Sequence, residues 1–531
     1  MKLPQEFIEM AKASIGAEAL AIYLDHFNNT LNISAQSQGA ETKSDSKSSN
    51  ITSIRVNPAK IESIQTLDYL LKDAEPVPWC GTGYYLPHRP QFTLDPLFHC
   101  GAYYVQEASS MYIQKAFEAI EANEPGFLNG NIKILDLCAA PGGKSTHIAS
   151  LINRRSLLVS NEVIKSRAVI LADNMAKWGA ENVVVTNNDP RDFKNLNRYF
   201  NLIVVDAPCS GEGMFIKDPA AINEWSPANV DLCASRQRRI LQDIWNSLQE
   251  GGYLIYSTCT FNHLENDNNL QYIVDELGAD VIEINFITTS ENNAANNNTS
   301  ANNTTDHKSN IIKTPAGGYQ FVPGLVKGEG QYMAVVKKLS KSGCEGNDRV
   351  SATEADYSAK AVKGKRGDYR KDDGKKGGKN GNNQLKGFTF LLESSYEFSL
   401  AGELVKAYSK ELANDIKYLE SQLRIVSSGI AAAILKGKDY IPHADLALIS
   451  SYAHNANKPD GPDCTALPFP VVELSKEQAL AYLSKEPLVL ANEPNGYLLL
   501  TYSGLPLGFV KNLGNRSNNL WPQARRIRMS H

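Results

Sequence analysis

The sequence predicts an α/β protein built on a doubly wound, mostly parallel sheet, and three observations carry that expectation. Short apolar runs of strand type recur at 133–138, 156–162, 182–189, 201–208 and 252–259. Helix-period stretches separate them, among them "VIKSRAVILADNMAKWG" and "SRQRRILQDIWNSLQ". The first strand runs into a glycine turn and then a helix, "KILDLCAAPGGKSTHIASL" at 133–151. Strands and helices that alternate in this way bury a parallel sheet between helical layers.

The glycine turn is not a nucleotide triphosphate loop. Gly143, Lys144 and Ser145 fit the end of that pattern, but its first glycine falls on Cys138. The dinucleotide fingerprint fails too, because Gly142 and Gly143 are adjacent. After the turn, Ile148, Leu151 and Ile152 share one helical face. The turn therefore opens a helix at the carboxyl end of a buried strand, where backbone N–H groups approach a ligand closely. A plain tight turn is the bland alternative. Two further strands, 279–286 and 331–338, flank an Asn-rich stretch that interrupts a hairpin-like connection.

With 531 residues, the chain has room for about three or four domains. Hydrophobic residues make up 42% of it, enough for sizeable cores. The net charge of −4 excludes a global polycation, so any nucleic-acid surface is a local patch. Eight cysteines at 80, 100, 138, 209, 233, 259, 344 and 464 form no CxxC pair. Neither a metal site nor a disulfide scaffold is expected, and free thiols suit the cytoplasm. The amphipathic N-terminus lacks the apolar core of a signal peptide, and no run of about 18 apolar residues predicts a membrane span.

Three polar stretches break the composition. Those at about 35–50 and 290–310 read as disordered surface loops, and 340–385 reads as a flexible basic linker. Residues 363–379 hold eight Lys/Arg against three Asp. A solvated linker accounts for that run better than contact with phosphates. The last part carries Lys511, Arg516, Arg525, Arg526 and Arg528 around Trp521. Basic residues interleaved with an aromatic fit RNA contact, although a solvated surface reads the same way.

The chemistry concentrates at strand ends, where open parallel sheets bind ligands. Those ends carry Cys138 with the glycine turn, Glu162, Asp189, Asp206 followed by Cys209, and Thr258 followed by Cys259. Glu162 is placed to hold ribose hydroxyls, and Asp189 to accept from an adenine amino group. Each acid alone also reads as a helix N-cap. "DAPCSG" and "YSTCTF" end strands expected to be neighbours, so two thiols would face one pocket. One strand-end cysteine is usually inert; two beside Asp206 and Lys144 favour catalysis. The Lys144 charge would favour a thiolate.

At this point the motifs match a family. "DLCAAPGGKS", "DAPCSGEGMF" and "YSTCTFNHLEND" resemble the Sun/Nop-type RNA cytosine-5 methyltransferases, with "SIRVNPAK" and "GAYYVQEASSM" resembling that family's N-terminal motifs. The likeness covers about residues 50–338, with five motifs in order. "GYQFVPGLVKGEGQYMAVV" and "GLPLGFVKNLGNRSNNLWPQARRIR" resemble the bacterial branch that modifies 16S ribosomal RNA, with a PUA-like tail.

The resemblance implies a Rossmann-like core dependent on S-adenosylmethionine, with an N-terminal α+β extension and a C-terminal mixed, PUA-like β domain. It implies an RNA-recognition extension at 1–125, a methyltransferase core at 126–339, the linker, a small mixed domain at 386–463 and an RNA-binding domain at 464–531. Cys138, Ala139, Ala140, Pro141, Gly142, Gly143 and Lys144 would form the cofactor loop. Glu162 would hold the ribose, Asp189 the adenine, and Asp206 the junction of cofactor and base. Cys259 would be the nucleophile and Cys209 would assist release. The expected partner is ribosomal RNA or the small ribosomal subunit, with no membrane or metal, and the protein acts as a monomer. A transfer RNA methyltransferase is the runner-up. A ribosome-assembly RNA-binding protein with a vestigial catalytic domain, and a DNA cytosine methyltransferase, are the readings from other classes.

Overall fold

Alternation along the central strands dictates two buried faces. Ile134, Leu158, Leu202 and Ile255 belong to one apolar core. Their immediate neighbours Leu135, Val159, Ile203 and Leu254 belong to another. Successive side chains of a strand point to opposite faces, so a sheet built this way needs a covering layer on each side. In the computed structural model these strands belong to one sheet, ten-stranded among the described residues. The structure describes residues 2–37, 51–285, 310–340, 385, 387–457 and 467–529. The polar stretches at about 35–50, 290–310 and 340–385 lie almost wholly outside the described residues.

Five strands are parallel. They are β1 (Lys133–Asp136), β2 (Leu157–Asn161), β3 (Val183–Thr186), β4 (Phe200–Asp206) and β5 (Leu248–Thr258). Their order is β3-β2-β1-β4-β5. The chain then adds β6 (Ala279–Ile282), β7 (Ile312–Lys313), β8 (Tyr319–Phe321) and β9 (Gln331–Lys338). β9 runs antiparallel to β5, and β6 and β8 pair antiparallel with β9. The far edge is closed by β10 (Ile425–Ser428), antiparallel to β3. This strand comes from the stretch read in sequence as a separate small domain.

Five helices matter to the site. They are α1 (Gln5–Ile15), α2 (Ala17–Ser37), α3 (Gly143–Leu151), α4 (Lys165–Trp178) and α5 (Pro227–Trp245). α5 starts where Ser226 accepts from the Asn229 N–H with Pro227 in the first turn. α4 stops at Gly179, which takes a φ of 84°. The sequence pattern extends the helix after β4 through "NSLQ", but α5 ends at Trp245 and Leu248 already pairs with Phe200. Burying Leu248 in the ladder outweighs another half-turn of helix.

Among the described residues, three four-stranded sheets surround the core. The first, in the N-terminal part, includes Thr52–Val56, Gly83–Leu86 and Tyr103–Val105. The second spans Tyr396–Pro442 and the third Val471–Asn519. The first and third share one apolar core, in which Leu97 and Cys100 meet Leu505 and Trp521. Among the described residues, no helix is long and apolar enough to cross a membrane.

The C-terminal basic cluster differs from its reading as an RNA surface at two positions. Trp521 is 1% exposed and belongs to the shared core. Arg525 forms ion pairs with Asp173 on α4 and with Asp445, the latter at 2.7 Å. Its side chain is 8% exposed. The ring is more stable in the core than in water, and the guanidinium joins three parts of the chain. Arg516, Arg526 and Arg528 remain exposed.

Removing Arg525 leaves two carboxylates without their shared partner. Arg525→Met is expected to destabilise the protein by about 3 kcal/mol, read as an earlier guanidinium unfolding transition. Arg526→Met, at an exposed neighbour, leaves that transition in place.

Candidate active site

The site is assembled at the carboxyl ends of β1 to β5. β1 ends at Asp136, and the chain passes through Cys138, Ala139, Ala140, Pro141 and Gly142 into α3. Gly142 has a φ of 119°, a conformation that L side chains rarely adopt, and a Cβ there would stand 3.2 Å from Leu171. The turn thus requires glycine at that point. Behind it, Ser145 Oγ donates to Asp136 Oδ2 at 2.6 Å and lies 2.8 Å from Ser160 Oγ. Asp136 is fully buried, and burial pushes its carboxyl up to about 7.

The three acids sit at successive strand ends. Glu162 follows β2 and is 3% exposed. It accepts from the Ile164 N–H at 2.9 Å and pairs with Arg167 at 3.4 Å. Arg167 also donates to the Ala140 carbonyl at 2.8 Å, tying the acid to the glycine turn. Asp189 caps the short helix Pro190–Asn195 and pairs with Arg191 at 3.0 Å. The Arg191 hydrogen bond holds its carboxyl below the ordinary range.

Asp206 ends β4. Its Oδ2 accepts from Lys144 Nζ at 2.8 Å and its Oδ1 accepts from Ser257 Oγ at 2.7 Å. Burial lowers the Lys144 ammonium, but Asp206 more than offsets it, so the group is held above its ordinary range.

The two thiols meet. Cys209 Sγ and Cys259 Sγ are 2.9 Å apart, and the Cys259 N–H donates to Cys209 Sγ at 3.3 Å. Both residues are half-buried. The contact with Cys259, then burial, holds the Cys209 thiol well above its usual range. Cys138, also half-buried, is pushed up by burial. The structure therefore brings Lys144, Asp206, Cys209 and Cys259 into one cluster, with Glu162 and Asp189 at the neighbouring strand ends.

Sequence reasoning passed over several residues in that cluster. Ser257 holds Asp206 from the adjacent strand. Glu212, Asn262 and Glu265 lie buried between the two cysteine loops. Arg55, from the N-terminal sheet, donates to Gln106 at 2.8 Å and to Thr146 of α3 at 2.6 Å. Its guanidinium lies 4.4 Å from the centre of the Trp178 ring, and burial lowers its pKa to about 9. The signal for Glu212 and Glu265 was in the quoted motifs, Glu212 three residues past Cys209 and Glu265 six past Cys259.

Three stretches of the chain are similar to known proteins. Residues 128–337 match the family model described as 16S rRNA methyltransferase RsmB/F. Residues 23–108 match the N-terminal domain of 16S rRNA methyltransferase RsmF, and 469–527 match the methyltransferase RsmF PUA domain. The chain is similar to these methyltransferases along all three stretches. Ribosomal RNA small subunit methyltransferase F of Shewanella piezotolerans is 29% identical over 485 residues, covering 89% of this chain and 90% of the relative. The protein of that name from Pectobacterium carotovorum is 39% identical over 226 residues, covering 40% of this chain and 44% of the relative. Among solved structures, NSun6 from Pyrococcus horikoshii has a TM-score of 0.46 at 18% identity, covering 64% of this chain and 98% of that one.

S-adenosylmethionine is the cofactor. The strand-end residues fit that group chemically. It carries ribose hydroxyls, an adenine amino group and two cationic centres, and the site presents three carboxylates around a glycine turn. Glu162 and Asp189 both keep acceptor capacity beyond their arginine partners. Asp206 stands where the glycine turn meets the cysteine loops.

The Asp136 carboxyl gives a pH test. Its ordinary value is 3.8 and its folded value about 7. The folded chain therefore binds this proton more tightly, and the associated stability is lost as pH rises from about 4 through 7. Asp136→Asn is expected to remove about 2 kcal/mol of the stability difference between pH 5 and pH 8, measured by chemical unfolding.

Proposed function

We propose that this chain methylates C5 of a cytosine in 16S ribosomal RNA through a covalent adduct with Cys259. The observation that carries the reading is the 2.9 Å approach of the Cys209 and Cys259 sulfurs beside the Lys144–Asp206 pair. The family model and the names of the relatives support ribosomal RNA as the target.

Cytosine C5 is a poor nucleophile. The Cys259 thiolate adds to C6, and the displaced electron pair makes C5 enamine-like. S-adenosylmethionine, when bound, supplies an electrophilic methyl group. A proton shared between Asp206 and N3 offsets the negative charge that develops in the ring, while Lys144 and Ser257 fix the Asp206 side chain. C5 then carries both methyl and hydrogen. Loss of the C5 proton to a base restores the double bond as the C6–S bond breaks, and the thiolate returns. Cys209, held as a thiol by its contact with Cys259, assists this release. The base must leave its stack to enter the cleft.

The extension at 1–125 and the unit at 464–531 are the proposed RNA grips, the latter through Arg516, Arg526 and Arg528. Phosphate neutralisation releases counterions, so RNA affinity falls steeply with salt. A flat salt response overturns the role of these arginines.

Labelled methyl transfer to ribosomal RNA, transfer RNA and DNA tests the target. Incorporation into ribosomal RNA as 5-methylcytosine is expected. Incorporation into transfer RNA alone replaces the target, and no incorporation with cofactor bound points to an RNA-binding role. Cys259→Ala is expected to abolish transfer, and Cys209→Ala to leave a trapped protein–RNA adduct visible on a denaturing gel. The opposite pattern reverses the two roles.

A further inference from the structure

Two carboxylates lie between the cysteine loops and bind across them in opposite directions. Glu212 belongs to the loop that carries Cys209. Its Oε2 accepts from the backbone N–H groups of Phe261 and Asn262, at 2.8 and 3.0 Å, in the loop that carries Cys259. Its Oε1 accepts from Trp225 Nε1 at 3.0 Å and from Asn262 Nδ2 at 3.1 Å. Glu265 follows Cys259 and reaches back. It accepts from the Ser210 N–H at 3.0 Å and from Gln237 Nε2 at 2.7 Å. Asn262 Nδ2 also meets Glu265 Oε1 at 2.8 Å, so one amide serves both acids. The Gly213 N–H donates to the Cys259 carbonyl at 2.9 Å. A Cβ on Gly213 would lie 2.5 Å from the Gly330 carbonyl, so no side chain fits between the loops there.

Glu212 and Glu265 are 1% and 0% exposed, too deep to touch RNA themselves. A buried carboxylate is tolerated when donors surround it, and backbone N–H groups are rigid donors. Among the described residues, each acid receives only N–H donors. An amide in its place would turn an NH2 group toward another donor and leave both unsatisfied. The backbone bonds fall immediately beside the reactive residues: Ser210 follows Cys209, and Phe261 lies two residues beyond Cys259.

Resting on the cytosine-5 reading above, we propose that Glu212 and Glu265, joined through Asn262, are positioning residues that fix the distance between the Cys209 and Cys259 thiols. One base must meet a sulfur that adds at C6 and a second that assists release. The clasp sets both points before RNA arrives.

Dibromobimane reads the thiol geometry without any methyl transfer. It becomes fluorescent when both of its bromides are displaced by neighbouring thiols, and peptide mapping identifies the Cys209–Cys259 bridge. In the full-length protein, Glu212→Gln and Glu265→Gln are each expected to slow that bridging about tenfold and to lower kcat on the order of 100-fold, with KM for S-adenosylmethionine unchanged. A thermal melt checks that each variant folds. If both fail that check, Ser210→Ala, which removes the hydroxyl 3.0 Å from Thr260 Oγ1, is the milder variant and is expected to slow bridging less. Bridging at the wild-type rate in folded variants overturns the proposal, whatever happens to kcat. Clasp-dependent bridging in a wild-type protein that methylates no RNA keeps the clasp and rejects the cytosine-5 reading.

Discussion

The register between β4 and β5 is the constraint on which the site depends. Asp206 stands opposite Ser257 in this parallel ladder. From that pairing the chain needs three residues to reach Cys209 and two to reach Cys259. Both thiols therefore emerge at one height, and Ser257 is placed to hold the Asp206 carboxylate. A slip of one residue would turn Ser257 away and send its neighbours to the opposite face. The apolar alternation of Leu202, Ile203, Val204 and Val205 prevents the slip, because each layer of the core accepts only its own set.

What stands behind the loops keeps them from relaxing. The α1–α2 hairpin packs Phe7, Tyr23 and Phe27 onto Phe215, Trp225 and Phe261. Phe215 follows the first cysteine loop and Phe261 lies in the second. Phe7 meets Phe215, Trp225 and Phe261 at ring separations of 5.2, 5.8 and 6.5 Å. Edge-to-face and tilted contacts of this kind add orientation to burial. On the side of the glycine turn, Arg55 joins the N-terminal sheet to α3 through Thr146. Its burial is offset by Gln106, Thr146 and the Trp178 ring. The N-terminal extension thus braces both halves of the cleft.

The strands and the cysteines were legible because they depend on local pattern. Apolar runs declare β1 to β5, and a strand followed by Pro-Cys or Thr-Cys sets a thiol at the strand end. The hydrogen-bond partners were not legible. Glu212 finds its acceptor role 13 residues away at Trp225 and 49 residues away at Phe261, a pairing that exists only once the sheet is formed. Trp521 and Arg525 misled for the same reason. An aromatic among arginines reads as a surface until another part of the chain covers it. β10 was hidden because "IVSS" is too short and too polar to declare a place in a distant sheet.

That late strand has a consequence for synthesis. β3 is the outermost parallel strand until residues 425–428 arrive to cap it. All five parallel strands leave the ribosome long before that point. For much of translation the nascent protein presents a raw row of peptide groups, a template for pairing with whatever extended chain is nearby. Truncation before residue 425 would leave that flank permanently bare.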